Sequence, residues 1–213
     1  MDTQLIILFI PLVVIWAAAA GASAVVGVVG RYYYKKNSQK KYKLGVLGMQ
    51  GAGKTRFLSY LRNVPYVEKG TSKEPYESFT YKFEKKEILI DAGVDFGGGD
   101  LYRVEYNRII KNSDVILYFF DIDRYLNEKS KTEEVSYRRA CNSRIEHIHS
   151  ADKEADIVFV ATHIDLCKKV EEEVRLEFLK LIENKSYYSS LKDVELIDIT
   201  NKDQLNRFID KVF

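Results

Sequence analysis

One run of eight residues restricts the folds open to this chain more than any other feature: Gly48-Met49-Gln50-Gly51-Ala52-Gly53-Lys54-Thr55. It matches G-x-x-x-x-G-K-[ST] throughout. An apolar segment, Tyr42–Gly48, precedes it, and Phe57, Leu58 and Leu61 follow at helical spacing through Arg62. A strand that turns through glycines into a helix start is the context this pattern requires. Glycines let successive N–H groups bend toward one anion, and the helix N-terminus adds a favourable dipole. Lys54 is expected to reach the terminal phosphates and the Thr55 hydroxyl to hold Mg²⁺. Gly48, Gln50, Gly51, Ala52 and Gly53 are expected to line the phosphates.

Downstream, strand-like and helix-like segments alternate. Residues 63–76 hold Pro65, Gly70 and Pro75 and read as an irregular loop. Phe79–Phe83 and Ile88–Asp91 read as two strands joined by a tight polar turn. A glycine-rich loop, Gly93–Asp100, leads into a helix near 101–112. Val115–Asp121 is an apolar run suited to a strand covered on both faces. A helix around 133–150, a strand at Ile157–Ala161 and an amphipathic helix marked by Val170, Val174, Phe178 and Ile182 come next. A last strand, Leu196–Ile199, precedes a closing helix marked by Leu205, Phe208, Ile209 and Val212. The expectation is an α/β three-layer fold: a mostly parallel six-stranded sheet with one antiparallel edge and about five helices.

Further motifs fall at predicted strand ends. Asp91 follows Ile88-Leu89-Ile90, where a carboxylate can hold Mg²⁺ through water. Gly93 would bring a backbone amide near the terminal phosphate. Thr162-His163-Ile164-Asp165 follows another strand; an aspartate there can accept from both N1 and N2 of guanine, a paired contact that adenine lacks. Thr200-Asn201-Lys202 could close over the same base.

The N-terminal part differs in kind. From Leu5 to Gly30 no side chain is ionisable. As a helix this stretch would reach about 39 Å, against a hydrocarbon core of roughly 30 Å. Arg31, Lys35, Lys36, Lys40, Lys41 and Lys43 follow with no acid among them. Basic flanks stay cytoplasmic, so residues 1–4 are expected outside, 5–30 across the membrane, 31–43 as a basic linker that could touch anionic lipid, and 44–213 as a cytoplasmic domain. A cleaved leader ending near Ala22-Ser23-Ala24 is the competing interpretation; the missing basic start counts against it. The net charge is +2, from 33 basic and 31 acidic residues, and most of the basic excess lies in that linker, so a nucleic-acid partner is not expected. Two cysteines, Cys141 and Cys167, are too few for a disulfide framework.

From about residue 42 to the C-terminus the motifs GMQGAGKT, DAG and THID, with TNK as a weaker counterpart of the closing loop, resemble those of Ras-like GTPases of the translation-factor-related class of P-loop NTPases. The anchor-then-domain layout is similar to that of the signal-recognition-particle receptor beta subunit. The resemblance implies a G domain that binds GTP and GDP with Mg²⁺, hydrolyses GTP and recruits a protein partner at the membrane face. Three departures stand out. Asp91-Ala92-Gly93 is one residue short of D-x-x-G, no water-orienting glutamine follows it, and His163 stands where the family has lysine. The effector-loop metal ligand is open between Thr71, which has the best spacing, Ser72 and Thr80. Gln50 occupies the position where dynamin-like proteins carry a water-positioning glutamine; a homodimer or partner is the other way to complete catalysis. A nucleotide-bound scaffold and an ATP-using enzyme are the alternative functions. His147 and His149, two apart, face different sides of a helix and do not suit a shared metal.

Overall fold

Among the described residues there are nine short strands, and one of them, Val115–Asp121, is apolar almost to its end with all seven residues buried. The computed structural model describes residues 41–67, 73–83, 86–96, 102–127, 136–151 and 154–213. The expected membrane span, most of the basic linker, Thr71 and Ser72 lie outside the described residues. Among the described residues no helix is long and apolar enough to cross a membrane.

In chain order the elements are β1 (Lys41–Tyr42), β2 (Leu44–Gly48), α1 (Lys54–Leu61), β3 (Lys73–Tyr76), β4 (Phe79–Phe83), β5 (Lys86–Ile90), β6 (Gly93–Phe96), α2 (Tyr102–Asn112), β7 (Val115–Asp121), α3 (Ile122–Leu126), α4 (Tyr137–Ser150), β8 (Asp156–Thr162), a 3₁₀ turn (Ile164–Leu166), α5 (Glu171–Ile182), α6 (Tyr188–Leu191), β9 (Glu195–Ile197) and α7 (Lys202–Val212). Strands β2, β7, β8 and β9 form a parallel sheet in that order. Only Lys43 separates β1 from β2. The Tyr42 carbonyl accepts from the Asp91 amide, while the Lys43 carbonyl accepts from those of Asp114 and Val115. One run of chain thus pairs with β5 on one side and then with β7 on the other.

The same continuity joins β3 to β4 and β5 to β6. Tyr76 faces Gly93 and Phe79 faces Ile90, so one antiparallel register runs through both pairs. Glu77-Ser78 and Asp91-Ala92 are the interruption on either side. This corrects two expectations. Residues 73–76 are strand despite Pro75, which an edge strand tolerates, and Gly93–Phe96 is strand rather than loop. The nine segments therefore make six runs of chain, hydrogen-bonded as β1-β5-β4, β2-β7-β8-β9 and β3-β6. The expected five helices become seven among the described residues, because α3 and α6 are too short to show a helical period. The last strand ends at Ile197, two residues early.

Side chains alternate across β7 and set the layers. Phe119 packs on Phe57 of α1 at 5.1 Å, and Phe57 packs on Phe208 of α7. Phe120 meets Phe178 of α5 at 5.5 Å and Tyr125 of α3 at 5.7 Å, and the Tyr118 hydroxyl donates to Cys141 Sγ of α4. Helices therefore cover both faces, and each buried ring contributes about 1.5–3 kcal/mol. The fold places the C-terminal ends of β2, β7 and β8 side by side. Gly48 pairs with Phe119 and Asp121 with Thr162, which is where parallel sheets bind ligands.

Candidate phosphate and base site

The glycine loop is built by conformations that other residues would resist. Gly48 leaves β2 at φ +141°, and a Cβ there would overlap the Phe119 carbonyl oxygen. The Tyr106 hydroxyl of α2 accepts from the Gly48 amide at 3.2 Å, and the Met49 amide donates to the Phe119 carbonyl at 2.9 Å. Gly51 and Gly53 lie at φ +75° and +81°. Gly53 also makes room for Ile199, whose Cδ1 would overlap a Cβ at that position. It is the N-cap of α1, at the start of a helix whose first turn can face an anion. Lys54 opens the helix. It is 6% exposed, and its Nζ donates to the Met49 carbonyl at 2.8 Å, which draws the ammonium across the loop. Thr55 is half-buried on the first turn, and Gln50 is exposed.

The end of β8 is tied to this loop. The Thr162 side chain is fully buried, with Oγ1 3.2 Å from the Ala52 carbonyl oxygen and 3.1 Å from that of Phe120. Sealed from solvent, it clamps the loop to the sheet, a contact between residues 110 positions apart. His163 adopts φ +62°, and its Nδ1 lies 2.9 Å from Thr162 Oγ1 and 3.6 Å from Asp121 Oδ2. That edge of the ring is turned inward. The reversal lets the amides of Leu166 and Cys167 donate to the His163 and Ile164 carbonyls, forming the 3₁₀ turn that presents Asp165. Asp165 is exposed, and its carboxylate makes no hydrogen bond or ion pair among the described residues. Burial, then the carboxylates of Asp123, Asp121 and Asp165, push the neighbouring Cys167 thiol up to about 11. Burial pushes Cys141 up to about 12. Neither is a nucleophile near neutral pH.

The third side is the turn before α7. Thr200 donates from both its amide and its hydroxyl to Asp198 Oδ1, each at 2.7 Å. Asn201 Oδ1 accepts from the Asp203 and Gln204 amides. Asn201 therefore caps a helix, which an Asn ahead of an amphipathic run signals in sequence. Lys202 lies exposed on the first turn. Asp91 is half-buried at the end of β5, where its Oδ1 accepts from the Ala92 amide at 3.0 Å. Gly93 opens β6. It is strand-paired opposite Tyr76, and the Tyr76 ring occupies the space a side chain would need. Tyr76 in turn donates to the Leu44 carbonyl. Of the alternative threonines, Thr80 sits within β4 opposite Leu89.

Two arginines near the loop carried no sequence signal. Buried Arg144 of α4 donates to Met49 Sδ at 3.3 Å, supporting the loop from beneath. Arg124 of α3 lies beside Gly51. His147 and His149 contact Asn107 and Ser190 separately, and no cluster of metal-binding side chains occurs among the described residues.

Neither a family model nor a curated protein matches the chain by sequence. Among solved structures it resembles Methanosarcina barkeri Roco2 RocCORdC bound to GDP, at 19% identity and a TM-score of 0.49, over 80% of this chain and 47% of that one. The chain thus spans less than half the length of that structure. A likeness of this size leaves the site's own residues to carry the function.

Proposed function

We propose that this chain is a membrane-anchored guanine-nucleotide-binding protein that takes Mg·GTP at the glycine loop, hydrolyses it slowly and recruits a protein partner according to nucleotide state. The observation that supports this most directly is the buried Lys54 ammonium bridging to the Met49 carbonyl, in a loop that Thr162 Oγ1 couples to the Asp165 turn. A buried ammonium at a helix N-terminus favours a polyanion above it. The exposed Asp165 carboxylate suits the two donors on a guanine edge. For Mg²⁺, one hydroxyl (Thr55) and one carboxylate (Asp91) are the protein groups that would hold the ion. Such a sparse set fits a cation that keeps waters and phosphate oxygens as its remaining ligands. The ion would neutralise charge on the phosphates.

The test is to purify the full chain gently from the membrane fraction and identify the retained nucleotide. GDP or GTP is the expected result. Adenine nucleotide would overturn the base assignment, and recovery of the chain in the soluble fraction would overturn the anchor. Asp165→Asn should weaken GTP binding about 10- to 100-fold, the loss of a charge-assisted paired contact, while ATP binding stays weak and unchanged. Equal losses for both nucleotides would show that Asp165 does not select the base.

The second function, a GTP-bound scaffold with little turnover, is favoured by one observation: the segment after Asp91 is strand-paired to β3 rather than open. A nucleotide-driven change there would have to part β6 from β3. Single-turnover hydrolysis separates the two functions. In the switch, exposed Gln50 positions water, and Gln50→Ala slows hydrolysis about 10-fold or more. Turnover at background in the wild type supports the scaffold. Unchanged turnover in Gln50→Ala removes Gln50 from catalysis and leaves a dimer or partner to supply the missing group.

A further inference from the structure

Arg124 is held in place by contacts that leave its donors open. Asp121 ends β7 and caps α3, its Oδ1 accepting from the Arg124 amide at 2.9 Å. The Arg124 guanidinium lies over the Tyr137 ring, 4.3 Å from its centroid. That ring is itself fixed: it is 7% exposed, and its hydroxyl accepts from the Asp121 amide at 2.8 Å. Stacking occupies the face of a guanidinium, whereas its five N–H donors point outward in the plane. The nearby acids are engaged elsewhere, since Asp123 Oδ1 accepts from Asn127 Nδ2 at 2.8 Å and Asp121 Oδ2 lies toward His163. Among the described residues the guanidinium makes no hydrogen bond and no ion pair. Its Nη1 lies 3.8 Å from where a Gly51 Cβ would stand, with no other heavy atom of the described residues beyond Gln50–Ala52 within 4 Å of that point.

We propose that Arg124 is a second cation of the phosphate site, its guanidinium edge taking a phosphate oxygen of a bound nucleoside di- or triphosphate beside Gly51. This rests on the nucleotide-binding function proposed above and adds a residue that no motif of the chain contains. It also offsets the missing lysine of the base motif, because a cation reaches the loop from α3 instead of from residue 163. The contact is to phosphate, so it is blind to the base. Arg124 therefore separates from Asp165 in its effects.

Calorimetry on the full chain in mild detergent, with GDP and GTP as titrants, tests this. Arg124→Gln keeps length and polarity but loses the charge, and is expected to weaken both nucleotides about 10- to 100-fold, the range of a charge-assisted contact. Arg124→Lys, which keeps a point charge without the fork, should recover part of the loss. The GTP-over-ATP preference should stay at the wild-type ratio in both variants, which damage to the base turn would not allow. Wild-type affinity in Arg124→Gln overturns the proposal while leaving the nucleotide function standing. So does a loss that Lys fails to relieve, since that points to packing on Tyr137. A wild-type chain that binds neither nucleotide removes both.

Discussion

Lys54→Ala is expected to lower affinity for Mg·GTP by at least about 100-fold, because two charge-assisted contacts to phosphate at about 1.5–3 kcal/mol each are lost together. The site geometry raises the effect above that of a surface lysine. The ammonium is almost wholly buried and already turned into the loop by the Met49 carbonyl, so little ordering entropy opposes phosphate binding. The nucleotide-free protein should suffer less, since the ammonium's bond to the Met49 carbonyl is worth about 1.5–3 kcal/mol. Calorimetric titration alongside thermal melts of the empty protein checks both halves. An alanine variant that still bound GTP at wild-type affinity would mean that the loop is not a phosphate site.

Gly48→Ala acts on the fold itself. The residue sits at φ +141°, and a Cβ would drive into the Phe119 carbonyl oxygen and stand 2.7 Å from the Phe119 nitrogen. Those are backbone atoms of the fully buried β7, so neither strand can move aside without disturbing the centre of the sheet. Strain at such a φ and overpacking each cost about 1–3 kcal/mol, giving a loss of about 3–5 kcal/mol. In a domain of this size that lowers the melting midpoint by about 10 °C. Gly51→Ala is the control. It shares a positive φ but meets only Arg124 Nη1 at 3.8 Å, so it should lose only the dihedral cost. Equal melting of the two variants would show that the contact with Phe119 is not what requires glycine at position 48.

Much of the architecture was legible because its causes are local. The apolar run Val115–Asp121 suits a strand covered on both faces, and it is one. The four-residue spacing of Val174, Phe178 and Ile182 marks the buried stripe of α5. The unread parts have non-local causes. Residues 73–76 contain a proline and looked irregular; they become strand because Gly93–Phe96 lies alongside in the same register as β4 and β5. Nothing near Gly93 in sequence shows that its missing side chain makes room for the Tyr76 ring. The Asn201 side chain takes its role from the helix it starts, where the amides of Asp203 and Gln204 donate to its oxygen.

The chain by itself determined where backbone must bend and which faces must be dry. Glycine conformations, helix starts and apolar periods are set by each residue's own sterics and those of its near neighbours. Only the tertiary structure decided what the polar side chains do. A hydroxyl or guanidinium takes its role from whichever atom the fold brings within about 3 Å. Thr162 on Ala52, Arg144 on Met49 and Arg124 beside Gly51 each join positions far apart in sequence.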